Sequence, residues 1–214
     1  MLKNNYLNIL LNLLFCKQAF LYFIKRRKIR FREKQKMLKG ELYSAGLDIS
    51  LYCQKQFCKK QCFKFNSLSP EKIIQRNSIL TKLLGKIGKS FLIEQPFLCD
   101  YGYNIEIGEN FCSGHNLLIL DPAKVTFGNN VFVGPNCGFY TSIHPIDAET
   151  RELGIEYAKP ITVGNNVWFG ANVSVLPGVS IGDNAVIGAG SVVNKDIPSN
   201  TMAAGNPCAI IKNI

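Results

Sequence analysis

A six-residue period running through residues 161–193 constrains this chain more than any other property of its sequence. With Val163 as the first anchor, the same slot is refilled by Phe169, Val175, Ile181, Ile187 and Val193. Four residues after successive anchors stand Val167, Val173, Val179, Ala185 and Ser191. Glycine follows most anchors, as Gly164, Gly170, Gly182 and Gly188. A period of six matches neither the 3.6 of a helix nor the alternation of a plain strand, so it marks a repeat architecture. Each unit supplies one short strand and one corner, and three units close one triangular coil of a parallel β-helix. The aliphatic anchor points into the prism, the small residue fills the narrowing edge, and Gly or Asn accepts the corner conformation.

The same period appears upstream as Ile107-Gly108, Ser113-Gly114 and Ile119, then as Phe127-Gly128, Val133-Gly134 and Phe139. The step from Ile119 to Phe127 is two residues too long, which predicts an insertion at a corner near Asp121 and Pro122. Residues 140–160 carry none of the pattern and read as a loop thrown out of a stack of about four complete coils. A loop extruded from a rigid repeat is where function is expected.

The formal charge of +10 is divided unevenly: residues 1–90 carry a net +16 and residues 91–214 a net −6. The basic excess lacks the aromatic interleaving of a nucleic-acid stacking surface and any base-reading motif, so no nucleic-acid partner is expected. Three regions follow: an apolar and basic extension over 1–30, a helical cap region over 31–92, and a β-helix domain over 93–214. In the extension, residues 7–24 are largely apolar and are followed by Lys25, Arg26, Arg27 and Lys28. That length approaches a bilayer span, but Lys17 sits within the run and the charge follows the apolar stretch instead of preceding it. An amphipathic, weakly anchoring helix and a plain accessory extension both remain open, and with them membrane contact. In the cap, Ser69, Pro70 and Glu71 read as a helix start, and the helices are expected to close the open end of the solenoid.

Eight cysteines are present, without paired C-x-x-C spacing. Cys53, Cys58 and Cys62 have near-helical spacing but no nearby His, and the bland reading is reduced thiols in a cytoplasmic protein, with no metal. The loop holds His144, one of two histidines, beside Pro145 and close to Asp147 and Arg151. Histidine is a ready general base near neutral pH, and the following proline restricts its backbone to extended geometry. A solvated surface histidine would look the same in the sequence.

Several stretches taken together resemble the maltose and galactoside O-acetyltransferase family. They are K-M-L-K-G-E-L-Y at 36–43, C-D-Y-G-Y-N-I at 99–105, and H-P-I-D at 144–147 with Arg151 and Glu156. P-I-T-V-G-N-N-V-W-F-G at 160–170, the run from Leu176 to K-D-I-P at 195–198, and A-A-G-N-P-C at 203–208 complete the match. The resemblance covers residue 33 to the C-terminus. It implies a mainly β fold, a left-handed parallel β-helix of hexapeptide repeats with an N-terminal α-helical cap. The implied reaction is acetyl transfer from acetyl-CoA to a hydroxyl of a maltose-, glucose- or galactoside-like sugar, in a cytoplasmic homotrimer with sites at the subunit clefts.

On these residues the resemblance makes His144 the general base. Asp100, Tyr101, Asn104, Asp121, Glu156 and Trp168 would form the acceptor pocket, and Ala171, Ala189, Asn194, Lys195 and Lys212 would flank CoA. Corner and packing roles serve equally for Asn104, Asp121, Tyr101 and Trp168, and a solvated surface role for Lys195 and Lys212. The chain also departs from the family. Gly114 stands where an Asn supports the transition state, leaving a backbone N–H or Asn116 as the substitute. Asn194 replaces a usual Thr, Ala209 a usual Arg, and the Asp common near Ala45 is absent. Two further readings stand beside sugar transfer: a catalytically weakened scaffold trimer, and an acetyltransferase for serine or another small acceptor. A carbonic anhydrase of this fold needs three His for zinc and is excluded by the two present.

Overall fold

The computed structural model describes residues 32–214, so the expectations placed on the apolar and basic extension lie outside the described residues. Among the described residues no helix is long and apolar enough to cross a membrane. Among the described residues three α-helices come first: α1 (Arg32–Leu38), α2 (Ile49–Asn66) and α3 (Ile73–Leu83). Asp48 caps α2 by accepting hydrogen bonds from the amides of Ser50 and Leu51 at 2.8 and 3.2 Å, satisfying donors that a helix start leaves free. Helix α3 opens at Ile73, three residues later than the Ser69-Pro70-Glu71 signal implies, and has no side-chain cap. Leu51, Cys58, Cys62 and Phe65 form the buried face of α2, and Arg76, Leu80 and Leu83 that of α3. Most of these apolar side chains join Ile93, Phe97, Cys99 and Ile105 in one core, which closes the end of the prism.

The prism begins earlier than the period suggested. Its first coil is β2 (Lys86–Ile87), β3 (Phe91–Ile93) and β4 (Phe97–Cys99), so the boundary falls near residue 85 and not at 92. Its first corner keeps Gly88, but Ser90 stands in register with Asn110 and Glu94 and Pro96 with Gly114 and Asn116, which hid it. Coil two is β5 (Ile105–Ile107), β6 (Phe111–Ser113) and β7 (Leu117–Leu120); coil three is β8 (Val125–Phe127), β9 (Phe132–Val133) and β10 (Gly138–Tyr140). After the extruded segment, with β11 (Ser142–Ile143), α4 (Ala148–Glu152) and β12 (Ile155–Ala158), come coil four, β13 (Ile161–Val163), β14 (Trp168–Phe169) and β15 (Ser174–Val175), and coil five, β16 (Ser180–Ile181), β17 (Val186–Ile187) and β18 (Val192–Val193). A partial sixth coil ends in β19 (Thr201–Ala204) and β20 (Ala209–Asn213). Five complete coils and a partial sixth thus replace the four expected.

Parallel stacking makes three faces: β2-β5-β8-β13-β16, then β3-β6-β9-β14-β17-β19 with β20 added antiparallel, then β4-β7-β10-β15-β18. The fold is the left-handed parallel β-helix of hexapeptide repeats. Phe111, Phe127, Phe139 and Phe169 stack edge to face along the interior with centroids 5.2, 4.9 and 5.3 Å apart, a geometry that adds about 0.5–1.5 kcal/mol per pair beyond burial. One edge carries Asn110, Asn130, Asn166, Asn184 and Asn200, all at positive φ. Their side-chain amides bond in series at 3.0, 2.9, 2.9 and 2.7 Å. Asparagine tolerates the left-handed corner and offers a donor and an acceptor to the coils on either side.

The departures from the period share one place. Residues 100–104, 121–124 and 141–160 all lie on the edge joining the third face to the first. The longest is no bare loop: β11 and β12 form an antiparallel hairpin, and β1 (Tyr43–Ser44) from the cap adds to β12, placing Tyr43 opposite Glu156.

Candidate active site

The inserted edge gathers the polar residues. At its first turn Asp100 forms an ion pair with Lys55 of α2, Nζ to Oδ2 3.3 Å. Burial pushes the Asp100 carboxyl above the usual carboxylate range, and Lys55 offsets part of that rise. At the second turn Asp121, fully buried, accepts through Oδ1 from the amides of Asp100 at 3.0 Å and Tyr101 at 2.8 Å. Asn104 donates its side-chain amide to the Asp121 carbonyl at 2.7 Å. Burial raises the Asp121 carboxyl to about 6, against the bonds from Tyr101 and other backbone amides that hold it down. Its Oδ2 has no hydrogen-bond partner among the described residues. Asp100, Asn104 and Asp121 are therefore brought together, with Asp121 and Asn104 clamping two successive insertions. Tyr101 turns into the cap and packs with Met37, Tyr43 and Leu51, so its ring is buried beneath the edge.

The third insertion brings His144. The imidazole is 58% exposed; its Nδ1 lies 3.4 Å from the Ile155 carbonyl and its Nε2 3.9 Å from Glu156 Oε2. Pro145 and the following turn are pinned by Arg151, whose guanidinium donates to the carbonyls of Pro145 and Ile146 at 3.1 and 2.9 Å. Asp147 caps α4 by accepting from the Thr150 hydroxyl at 2.6 Å and the Thr150 amide at 2.8 Å, and these bonds hold its carboxyl below the usual range. Buried Glu156 receives a 2.5 Å hydrogen bond from the Tyr43 hydroxyl. Burial, followed by that hydrogen bond, pushes the Tyr43 hydroxyl up, so it stays a donor. The Tyr43–Glu156 hydrogen bond thus fixes a carboxylate from the cap side, and the half-exposed His144 imidazole lies 3.9 Å from that carboxylate.

The remaining expected residues lie elsewhere in the single chain. Trp168 projects from the second face, 57% exposed and in register with Phe132 and Val186; that face is opposite the edge bearing His144, so Trp168 does not line the same pocket within one chain. Gly114 and Asn116 occupy the edge between the second and third faces. The Gly114 amide is given to the Val133 carbonyl at 2.9 Å and the Asn116 amide to Asn136 at 2.8 Å. Neither substitute for the missing Asn stands at the His144 edge of its own chain. Ala171 and Ala189 stack on that same edge as Gly114, where Gly190 donates to the Ala171 carbonyl at 2.8 Å. Asn194 and Lys195 are exposed at the inserted edge of coil five, and Lys212 on β20 pairs with Met202 across the second face. The CoA candidates thus spread over two edges and a face.

Sequence reasoning missed Lys55, and it missed the pairing of Tyr43 with Glu156. A signal for Lys55 was present: a strongly basic cap abutting an acidic β-helix calls for pairs across the seam. Nothing local links Tyr43 to a residue 113 positions away.

Residues 36–88 match the family described as maltose acetyltransferase hexapeptide capping motif, and residues 160–195 match bacterial transferase hexapeptide (six repeats). The galactoside O-acetyltransferase of Escherichia coli (strain K12) is 45% identical over 73% of this chain and 77% of its own. A maltose O-acetyltransferase structure from Clostridium difficile 630 is 49% identical, with a TM-score of 0.84 over 85% of this chain and 97% of its own. A galactoside acetyltransferase in complex with coenzyme A is 39% identical, with a TM-score of 0.83 over 86% of this chain and 92% of its own. On fold, cap and sequence together, this chain belongs to the maltose and galactoside O-acetyltransferase family of hexapeptide-repeat acetyltransferases.

Proposed function

We propose that the protein transfers the acetyl group of acetyl-CoA to a sugar hydroxyl, with His144 as general base. The observation that carries the reading is the imidazole held between the Ile155 carbonyl and Glu156. With Nδ1–H directed to the carbonyl, Nε2 is left with its lone pair toward the inserted edge. Nε2 takes the proton of the acceptor hydroxyl as the oxygen attacks the thioester carbon. The tetrahedral oxyanion collapses, the carbon–sulfur bond breaks, and the imidazolium returns its proton to the leaving CoA thiolate. Glu156 stabilises the imidazolium in between. Asp100, Asn104 and Asp121 shape the acceptor side of the edge, and the step calls for no metal.

Coenzyme A in the complexed relative supports acetyl-CoA as co-substrate. The working unit is a homotrimer. Leu92, Phe132 and Trp168 are exposed in one register row on the second face, an apolar stripe that a second copy would cover. Packing this face against the inserted edge of a neighbour would bring Trp168, and the Gly114 edge beside it, toward His144. The acceptor and CoA residues split between faces of one chain then meet in a cleft between chains. The cap, the β-helix and the extension over 1–30 remain the units of organisation, with the cap also supplying the Tyr43 hydrogen bond that fixes Glu156.

The test is CoA-thiol release with acetyl-CoA and a panel of glucose, maltose, galactosides and serine. Acceptor-dependent release that falls by at least 100-fold in His144→Ala is expected; release unchanged by that substitution refutes the mechanism. A second reading has one observation in its favour. Gly114 offers no side chain where the family Asn acts, and a Cβ there would meet the Pro135 backbone nitrogen at 2.9 Å, so the corner would have to shift to take one. A weakened scaffold trimer would give no acceptor-dependent release and no calorimetric binding of acetyl-CoA.

A further inference from the structure

Beneath the acceptor edge, three buried thiols converge from distant parts of the chain. Cys58 and Cys62 lie one helical turn apart on the inner face of α2, and Cys99 ends β4 immediately before Asp100. Their exposures are 0, 1 and 7%. Cys58 Sγ is 3.4 Å from Cys99 Sγ, Cys62 Sγ is 3.9 Å from it, and all three sulfurs fall within 4.8 Å of one another. The Cys53, Cys58, Cys62 grouping suggested by spacing is thereby corrected: Cys53 is exposed, and Cys99 takes its place.

We propose that Cys58, Cys62 and Cys99 form a three-sulfur site for a soft, thiophilic ion, with Cu(I) as the occupant. Three sulfurs about 2.3 Å from an ion in their plane stand about 4.0 Å apart, close to the separations found, so coordination asks for adjustments of a few tenths of an ångström. The three cysteines belong to the continuous buried core that also holds Phe65, Leu80, Phe97 and Ile105; no His or carboxylate is grouped with the sulfurs, and the nearest acidic influence on Cys58 is the buried Asp121. Ions that require four donors or retained water are disfavoured there, whereas Cu(I) is content with two or three sulfurs. Binding one Cu(I) releases two thiol protons to solvent while the third sulfur supplies a lone pair. The unit then carries one net negative charge, a smaller burden in an apolar core than three thiolates.

Placement gives the site a consequence. Cys58 is three residues beyond Lys55 on α2, and Cys99 adjoins Asp100, the partner of Lys55. An ion joining the three sulfurs would pin the cap to the edge that carries the acceptor residues. The site does not depend on the acetyl-transfer reading.

The full-length reduced protein, handled anaerobically, is titrated with Cu(I) against a chromophoric Cu(I) chelator, and in a parallel arm with arsenite. One Cu(I) per chain held against the chelator is expected, with a rise of about 5–10 °C in unfolding temperature at saturation. Both effects should vanish in Cys58→Ala, Cys62→Ala and Cys99→Ala and persist in Cys53→Ala. Circular dichroism establishes that each variant folds, and Cys62→Leu, which refills the core volume, decides the matter if Cys99→Ala does not. Retention of arsenite in place of Cu(I) by the same three thiols keeps the three-sulfur site and assigns it to a trivalent ion. Retention of neither ion, or equal retention after loss of Cys62, overturns the proposal.

Discussion

Replacing Glu156 with Gln isolates the electrostatic part of its contact with His144. Gln keeps an oxygen to accept from the Tyr43 hydroxyl, so the 2.5 Å bond and the packing around it can persist while the charge disappears. The carboxylate oxygen stands 3.9 Å from His144 Nε2. A unit positive charge formed there is stabilised by about 1 kcal/mol in water-like surroundings and by about 4 kcal/mol at an effective dielectric of about 20. More than half of the imidazole is exposed, which places the effect toward the lower end, about 1–2 kcal/mol, or roughly a 5- to 30-fold loss in rate. The charge develops only as the proton is transferred, so the loss belongs in kcat, with KM for acetyl-CoA little changed. Steady-state thiol release at low and moderate salt measures both, with a melting curve to confirm folding. Salt should narrow the difference between native and variant. A Glu156→Gln enzyme within twofold of native, alongside an inactive His144→Ala, would refute a role for this carboxylate in stabilising the imidazolium.

Two further tests address stability. Asp121 has a folded pKa of about 6 against an ordinary 3.8. Its contribution is fully present below about pH 4 and is lost as pH rises through about 6, a change of about 3 kcal/mol; Asp121→Asn lacks that component, so the native-minus-variant difference in urea unfolding should shrink by most of it between pH 4 and 7, and a constant difference would count against it. Asn166 combines a φ of +57° with ladder bonds to Asn130 and Asn184, so Asn166→Ala should cost about 2 kcal/mol and lower the unfolding temperature by about 4–8 °C. Asn166→Gly should recover about half, because it relieves the left-handed strain without restoring the ladder, and equal losses in the two variants would assign the whole effect to the hydrogen bonds.

The repeat was legible because the requirement it records is local and recurs: an apolar anchor, a small residue and a corner former every six positions, from Ile107 to Val193. The first coil was not, because Ile87, Ile93 and Cys99 keep the spacing while Gly88 is its sole regular corner residue; Glu109 of the next coil accepts from the Lys89 and Ser90 amides at one corner, and Gln95 donates to the Phe65 and Leu68 carbonyls at the next. His144 stood out through the interruption around it. Its partners did not, since Tyr43 meets Glu156 through a strand pairing between the cap and the extruded hairpin. The placement of Trp168 could have been read by counting in eighteens: Phe169 falls on the second face, while Phe139, which leads into His144, falls on the third. Grouping by motif joined residues that the three-faced geometry separates. The cysteines show the converse, for Cys99 is 37 residues from Cys62 in sequence and 3.9 Å from it in space.

All three lengthened turns leave the prism along one edge, while the other two edges keep the strict period and one of them carries the asparagine ladder. An extra residue on the ladder edge would break a continuous series of bonds, whereas one on the inserted edge lengthens a turn already held by the cap. The molecule therefore has a single seam along which chain length can change without disturbing the stack. Grafting turns there from relatives with other acceptors offers a way to alter substrate choice while leaving the folding of the prism untouched.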